Sequence, residues 1–217
     1  MIRAIGFDVG DTLLYYADTP LNWSSLYGDA LAAVARACAV SLTPAEFSAA
    51  CQILLGYNTR VRPRRNEIAA DEIFSHVPLS WSLAPAEHLQ IGVDSFFTFF
   101  QQRMCAFPEV PYGMPMKFVR RDLDGAQISD LLDSVITSTM VGLRKPDPVG
   151  YHALASALGV GADEMLYVGN EPKDVIGAQR AGVPSVLVDR AGAAPSHGQS
   201  FTATSLSAVI HIACVAV

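Results

Sequence analysis

Residues 2–14 read IRAIGFDVGDTLL. The apolar positions Ile2, Ala4, Ile5 and Phe7 run up to Asp8, and Val9, Gly10, Asp11 and Thr12 follow before two leucines. An apolar run broken by glycine and flanked by acids reads as a buried parallel strand opening into a loop. In open α/β sheets chemistry collects at the carboxyl ends of the strands. Asp8 is expected at such a tip, with Gly10 letting a ligand approach the backbone. Asp and Gly are also ordinary turn residues, so this stretch alone leaves a plain strand and turn equally open.

The rest of the chain bears on that choice. Its 217 residues are 51% hydrophobic and 17% charged, which suits a core domain with a sizeable insertion. The net charge of −6 speaks against nucleic acid as a main partner. Cys38, Cys51, Cys105 and Cys214 form no CxxC pair, the pattern of thiols kept reduced. Met1, Ile2 and Arg3 lead directly into the expected strand, without the pattern of a signal peptide. The apolar stretch 206–217 is too short to span a bilayer. These features predict a soluble, cytoplasmic protein with no membrane or nucleic-acid partner, either monomer or homodimer.

Helical patterns fill residues 18–107, with no convincing strand. Leu26, Ala30, Leu31, Val34 and Cys38 recur at helical spacing within 21–40. Thr43-Pro44-Ala45-Glu46 is a capping box with proline at the first helical position, opening a helix to about Leu55. Segments 66–76 and 85–104 read as two more helices, and Phe96, Phe97, Phe99 and Phe100 include core positions. The arginines at 60, 62, 64 and 65 read as a solvated face. A helix is expected over about 122–132. Strands and helices then alternate: strands at 134–139, 165–169 and 184–188, helices at 149–158, 175–181 and 206–214, with Gly159 and Gly182 as stops. The prediction is a Rossmann-like, doubly wound parallel sheet over 1–17 and 108–217, interrupted by an α-helical cap over 18–107.

Strand ends in this scheme present Asp8 and Thr12, then Lys145, then Asn170, Glu171 and Asp174. Carboxylates with a backbone carbonyl are hard oxygen ligands that suit Mg²⁺. A lysine beside them can neutralise a phosphate, and an aspartate can attack phosphorus. FDVGDTL at 7–13, GLRKPDP at 142–148 and LYVGNEPKDVIGAQRAG at 166–182 resemble the haloacid dehalogenase-like superfamily of hydrolases, in the branch with a helical cap between its first and second motifs. The resemblance implies a Mg²⁺-dependent phosphatase acting on a small phosphorylated molecule through an aspartyl-phosphate. Asp8 would be the nucleophile and a metal ligand, and Gly10 would offer its carbonyl to the metal. Thr12 would orient the loop and Lys145 would hold the phosphate. Asp174, with either Asn170 or Glu171, would complete the metal site.

Three departures from that family's pattern stand out. Its phosphatases carry an acid–base aspartate two residues after the nucleophile, where this chain has Gly10; Asp11 comes one place later. General acid–base help is worth about 10²–10⁴ in rate, so good leaving groups such as acyl or aryl phosphates would suffer least. The second motif, a strand ending in Ser or Thr, is missing, and residues 116–119 are expected to supply a makeshift strand. No lysine precedes Lys117, which speaks against phosphonate cleavage, and Gly10 stands where the dehalogenating branch has an aromatic. A catalytically impaired relative with a binding or regulatory role is the alternative reading.

Overall fold

The computed structural model describes residues 1–77, 86–106, 118–193 and 195–215. The chain divides into two compact units, Met1–Tyr15 with Cys105–Val217, and Tyr16–Met104.

The first unit is built on a parallel four-stranded sheet. β1 (Ala4–Phe7) pairs with β4 (Met165–Gly169), β4 with β5 (Ser185–Val188), and β5 with β6 (Phe201–Ala203). All residues of β4 and β5 are buried, as expected for short, mainly apolar runs covered on both faces. On one face Met165 and Tyr167 pack with Tyr151 and Ala155 of α7 (Val149–Ala157) and Ala178 of α8 (Pro172–Arg180). The α/β fold with a Rossmann-like parallel sheet and flanking helices is therefore as read from the sequence. β1 is less enclosed than expected: among the described residues it pairs only with β4, and Ile5 is 37% exposed.

Several local expectations need correction. Residues 134–139 form no strand: Thr137 instead caps α6 (Ser138–Val141), accepting from the Met140 N–H at 3.4 Å. A threonine hydroxyl that finds a local backbone partner competes with the strand, and here it has one. The makeshift strand over 116–119 fails at Phe118 and Val119, which open the helix α5 (Phe118–Gly125); Met116 and Lys117 lie outside the described residues. The helix expected over 122–132 ends at Gly125, followed by a 3₁₀ turn at Ser129–Leu131. β6 was not foreseen, because FTA is three residues in a polar loop. α9 (Leu206–Val215) follows it.

The second unit is helical. α1 (Tyr27–Ala37), α2 (Pro44–Tyr57), α3 (Ala70–Ser75) and α4 (Ala86–Gln101) pack with α4 against α1 and α3, and α1 against α2. Ala30, Leu31 and Val34 are fully buried on α1, the face that its periodicity marks. The Thr43 capping box is present: the Glu46 carboxylate accepts from the Thr43 N–H at 2.8 Å while the Thr43 hydroxyl accepts from the Glu46 N–H at 3.3 Å. Phe96 and Phe100, four apart on α4, are core residues, and Phe100 stacks on Trp23 with centroids 4.0 Å apart. α3 is shorter than expected, and residues 104–106 are not helical. They form β3 (Met104–Ala106), which pairs with β2 (Leu14–Tyr16) in a separate two-stranded sheet.

Candidate active site

The site forms at the carboxyl ends of β1 and β4. The Asp8 N–H extends the β1 ladder to the Val168 carbonyl at 2.8 Å, which fixes where the aspartate emerges. The chain then turns tightly: the N–H groups of Leu13 and Leu14 both reach the Val9 carbonyl, at 2.9 and 3.0 Å. Asp11 takes the left-handed backbone region at φ 57°, which an aspartate tolerates better than most side chains. Thr12 is fully buried beneath the loop. Its hydroxyl lies 3.1 Å from Asn170 Oδ1 and 3.5 Å from Asp8 Oδ2, so it ties the first loop to the end of β4.

Arg190 locks this loop from outside. Its guanidinium, in the loop after β5, donates to the main-chain oxygens of Asp11 and Thr12, each at 3.0 Å. The sequence pattern did not single it out. Its place two residues past a strand end was the one available signal.

α8 supplies the second carboxylate. Asp174 sits in its first turn, where the helix dipole favours an anion, and its Oδ2 accepts from the Glu171 N–H at 3.0 Å. A Cβ on Gly169 would lie 2.4 Å from that of Asp174, so only glycine lets β4 and α8 approach this closely. The Tyr151 hydroxyl donates to the Asp174 carbonyl at 3.0 Å, and the Tyr151 and Tyr167 rings meet edge to face with centroids 4.6 Å apart.

Lys145 joins the two acids. Its Nζ is 2.5 Å from Asp8 Oδ1 and 2.7 Å from Asp174 Oδ1, with the Tyr167 ring centroid 5.1 Å away. Burial alone would favour the neutral amine. The negative charge of Asp8, followed by that of its other neighbours including Asp174, outweighs it and holds the ammonium well above the usual lysine range. Asp174 goes the other way from an ordinary surface acid. Its burial and then the nearby Asp8 raise its carboxyl above the usual range, against the opposing pull of Lys145. Burial likewise pushes the Tyr151 and Tyr167 phenols upward.

The structure thus brings Asp8, Thr12, Lys145, Asn170 and Asp174 together. Glu171 turns its carboxylate to Lys173 at 2.6 Å, whereas Asn170 joins the Thr12 network. Gly10 lies exposed on the loop between Asp8 and Thr12. Among the described residues no three His, Cys, Asp or Glu side chains are grouped to hold a metal. The donors present are two carboxylates with amide and main-chain oxygens. That set fits Mg²⁺, which commonly takes one or two carboxylates and keeps water or phosphate oxygens for its other positions.

The profile of the family described as haloacid dehalogenase-like hydrolase matches residues 116–188. The chain is 44% identical to phosphatase MT3486 of Mycobacterium tuberculosis over 70 residues, which cover 32% of each protein. It is 42% identical to a phosphoglycolate phosphatase of Rhodospirillum rubrum over 66 residues, 30% of this chain and 27% of that one. Against a phosphoserine phosphatase of Thermus thermophilus it is 37% identical over 98 residues, 45% and 39% of the two chains. The chain therefore spans less than half the length of each of these curated relatives. The fold match extends further. A 2-haloacid dehalogenase of Pseudomonas syringae pv. Tomato superposes over 99% of both chains with a TM-score of 0.65 at 21% identity. A HAD phosphatase of Thermococcus onnurineus superposes over 97% of both with a TM-score of 0.62 at 19% identity. Over residues 116–188 the chain is thus similar in sequence to haloacid dehalogenase-like hydrolases, and along its length its fold is like that of these solved structures.

Proposed function

We propose that this chain is a phosphohydrolase that transfers the phosphoryl group of a small molecule to Asp8 and then to water. The observation that carries the reading is Lys145 Nζ held between Asp8 and Asp174, at 2.5 and 2.7 Å. Such a cation balances the charge gathered when a phosphoryl group joins two carboxylates, and it does so without reorganising. Thr12 and Arg190 hold the loop so that Asp8 is presented at the strand tip. Preorganisation of this kind is where positioning contributes to rate. The phosphatase relatives support the same reading, and their substrates belong to them.

Mg²⁺ fits the oxygen donors of Asp8, Asp174, Asn170 and the Gly10 carbonyl, and when bound it would polarise the phosphoryl oxygens. Asn170 is preferred to Glu171 as its ligand, because Glu171 is drawn to Lys173. The test is phosphate release from acetyl phosphate and p-nitrophenyl phosphate with and without Mg²⁺, beside Asp8→Asn. Metal-dependent release that Asp8→Asn lowers by more than about 10³-fold supports the reading. Equal release by both folded proteins would overturn it and leave the binding role, which Gly10 in place of an acid favours.

A further inference from the structure

We propose that this chain forms a two-fold dimer in which β1 pairs antiparallel with β1 of a second copy. That copy covers the free edge of β1 and the groove beside it.

The edge comes first. β1 joins β4 in an unbroken parallel register, from Ala4 opposite Met165 to Phe7 opposite Val168. The Asp8 N–H bonds the Val168 carbonyl, and backbone polar groups alternate sides along a strand. Those of Ile5 and Phe7 therefore point away from β4, to a side where no strand among the described residues meets them. Sheet edges are ordinarily blunted by proline, by lysine or by a bulge. Ala4-Ile5-Gly6-Phe7 contains none of these, and Ile5 is 37% exposed.

Beside this edge lies a groove of about 590 Å³, bounded by Arg3, Ile5, Asp133, Leu158, Ala213 and Cys214. Ile210 precedes Ala213 and Cys214 by three and four positions, so it shares their face of α9, and it is 64% exposed. An open strand edge flanked by exposed apolar side chains is the mark of an interaction surface.

Two observations select a second copy as the occupant. A two-fold contact sets a patch against itself, so the patch must be self-complementary. About an axis at Gly6, Ile5 of one strand faces Phe7 of the other, and the outward N–H and C=O groups of the two are those an antiparallel pair exchanges. Ile5 and Phe7 project to the same side of the sheet, so each pair also joins a β-branched to an aromatic side chain. The charges agree. The groove carries one exposed cation, Arg3, and one exposed anion, Asp133, so it does not repel its own copy. Arg3 also meets Glu164 at 3.2 Å, in an exposed pair that holds it weakly. A strongly acidic or strongly basic partner would meet a like charge in this groove.

The experiment is sedimentation velocity of the whole protein across a concentration series, with amide exchange read at Ile5 and Phe7. The expected result is a species of twice 23.2 kDa, with both amides exchanging more slowly as concentration rises. Ile5→Lys, which sets an unpaired charge on the edge, should raise the dissociation constant more than about tenfold. Arg3→Glu leaves the groove only acids and Asp133→Lys only bases. Each should weaken self-association, and mixing the two variants should restore it. A monomer at every concentration overturns the proposal, as does a dimer that Ile5→Lys leaves intact. Equal protection of the Ile5 and Phe7 amides at all concentrations would show the edge covered within one chain, which overturns it too. If Ile5→Lys fails to fold by circular dichroism, the mixed charge variants decide: no recovery on mixing overturns the proposal.

Discussion

Lys145 and Asp174 form an ion pair of 2.7 Å in which the aspartate side chain is almost wholly buried and the lysine side chain is 28% exposed. Removing one partner of such a pair leaves a charge without its counterion. Lys145→Gln is expected to lower stability at pH 7 by about 2–3 kcal/mol, below the 3–5 typical of fully buried pairs because the lysine keeps some water. The effect has a pH sign. Without the cation the folded-state pKa of Asp174 rises further above its unfolded value. Its favourable contribution is then full below the usual carboxylate range and is lost as pH rises through the folded pKa. The gap in urea midpoint between Lys145→Gln and the unmodified protein should therefore widen from pH 4 to pH 7. A gap constant over that window would count against a charged Lys145–Asp174 pair.

Gly169→Ala tests the contact between β4 and α8. The added methyl would fall 2.4 Å from Asp174 Cβ, a backbone-anchored atom that cannot swing aside. The expected cost is about 1–3 kcal/mol of stability. Displacement of Asp174 should also raise the Mg²⁺ concentration needed for half-maximal phosphate release. Thermal melting and a metal titration read the two effects separately.

Arg190→Ala should loosen the Asp8 loop rather than unfold the sheet. It removes two charge-assisted hydrogen bonds, to the carbonyls of Asp11 and Thr12. The stability loss is expected at about 1–3 kcal/mol, with kcat falling more than KM changes. Hydrogen exchange should speed up at residues 9–14 while β4 and β5 stay protected. Unchanged exchange there would show that the loop holds without the arginine.

Thr43→Ala lies in the helical unit and breaks the capping box of α2. A loss of about 0.5–2 kcal/mol is expected, as for other N-cap hydroxyls. Urea denaturation should show it, while the rate per folded molecule on acetyl phosphate should match the unmodified protein.

Much of this protein is written in short-range pattern. The cap of α2 needs only residues 43 to 46, and the runs that became β4 and β5 are apolar but for Ser185, so both were legible. The loops RKPDP and GNEPKD carry Lys145, Asn170 and Asp174 in recognisable order. Where two local preferences compete, the pattern misleads. Val135, Ile136 and Thr137 favour a strand, yet the Thr137 hydroxyl finds a backbone N–H three residues on and begins a helix.

The sequence by itself determined that Asp8 and Asn170 follow the ends of β1 and β4, because apolar runs and the residues that stop them act over a few positions; Lys145, expected after a strand at 134–139, instead lies in the loop between α6 and α7. Tertiary structure decided how those groups meet. Lys145 reaches Asp8 across 137 positions and Asp174 across 29, and Arg190 reaches Thr12 across 178. It was also the fold that turned Asn170 to Thr12 and that left Ile5 of β1 partly exposed. Hydrogen bonds and ion pairs act over about 3 Å, so their partners exist only once the parallel sheet has set distant strand ends side by side.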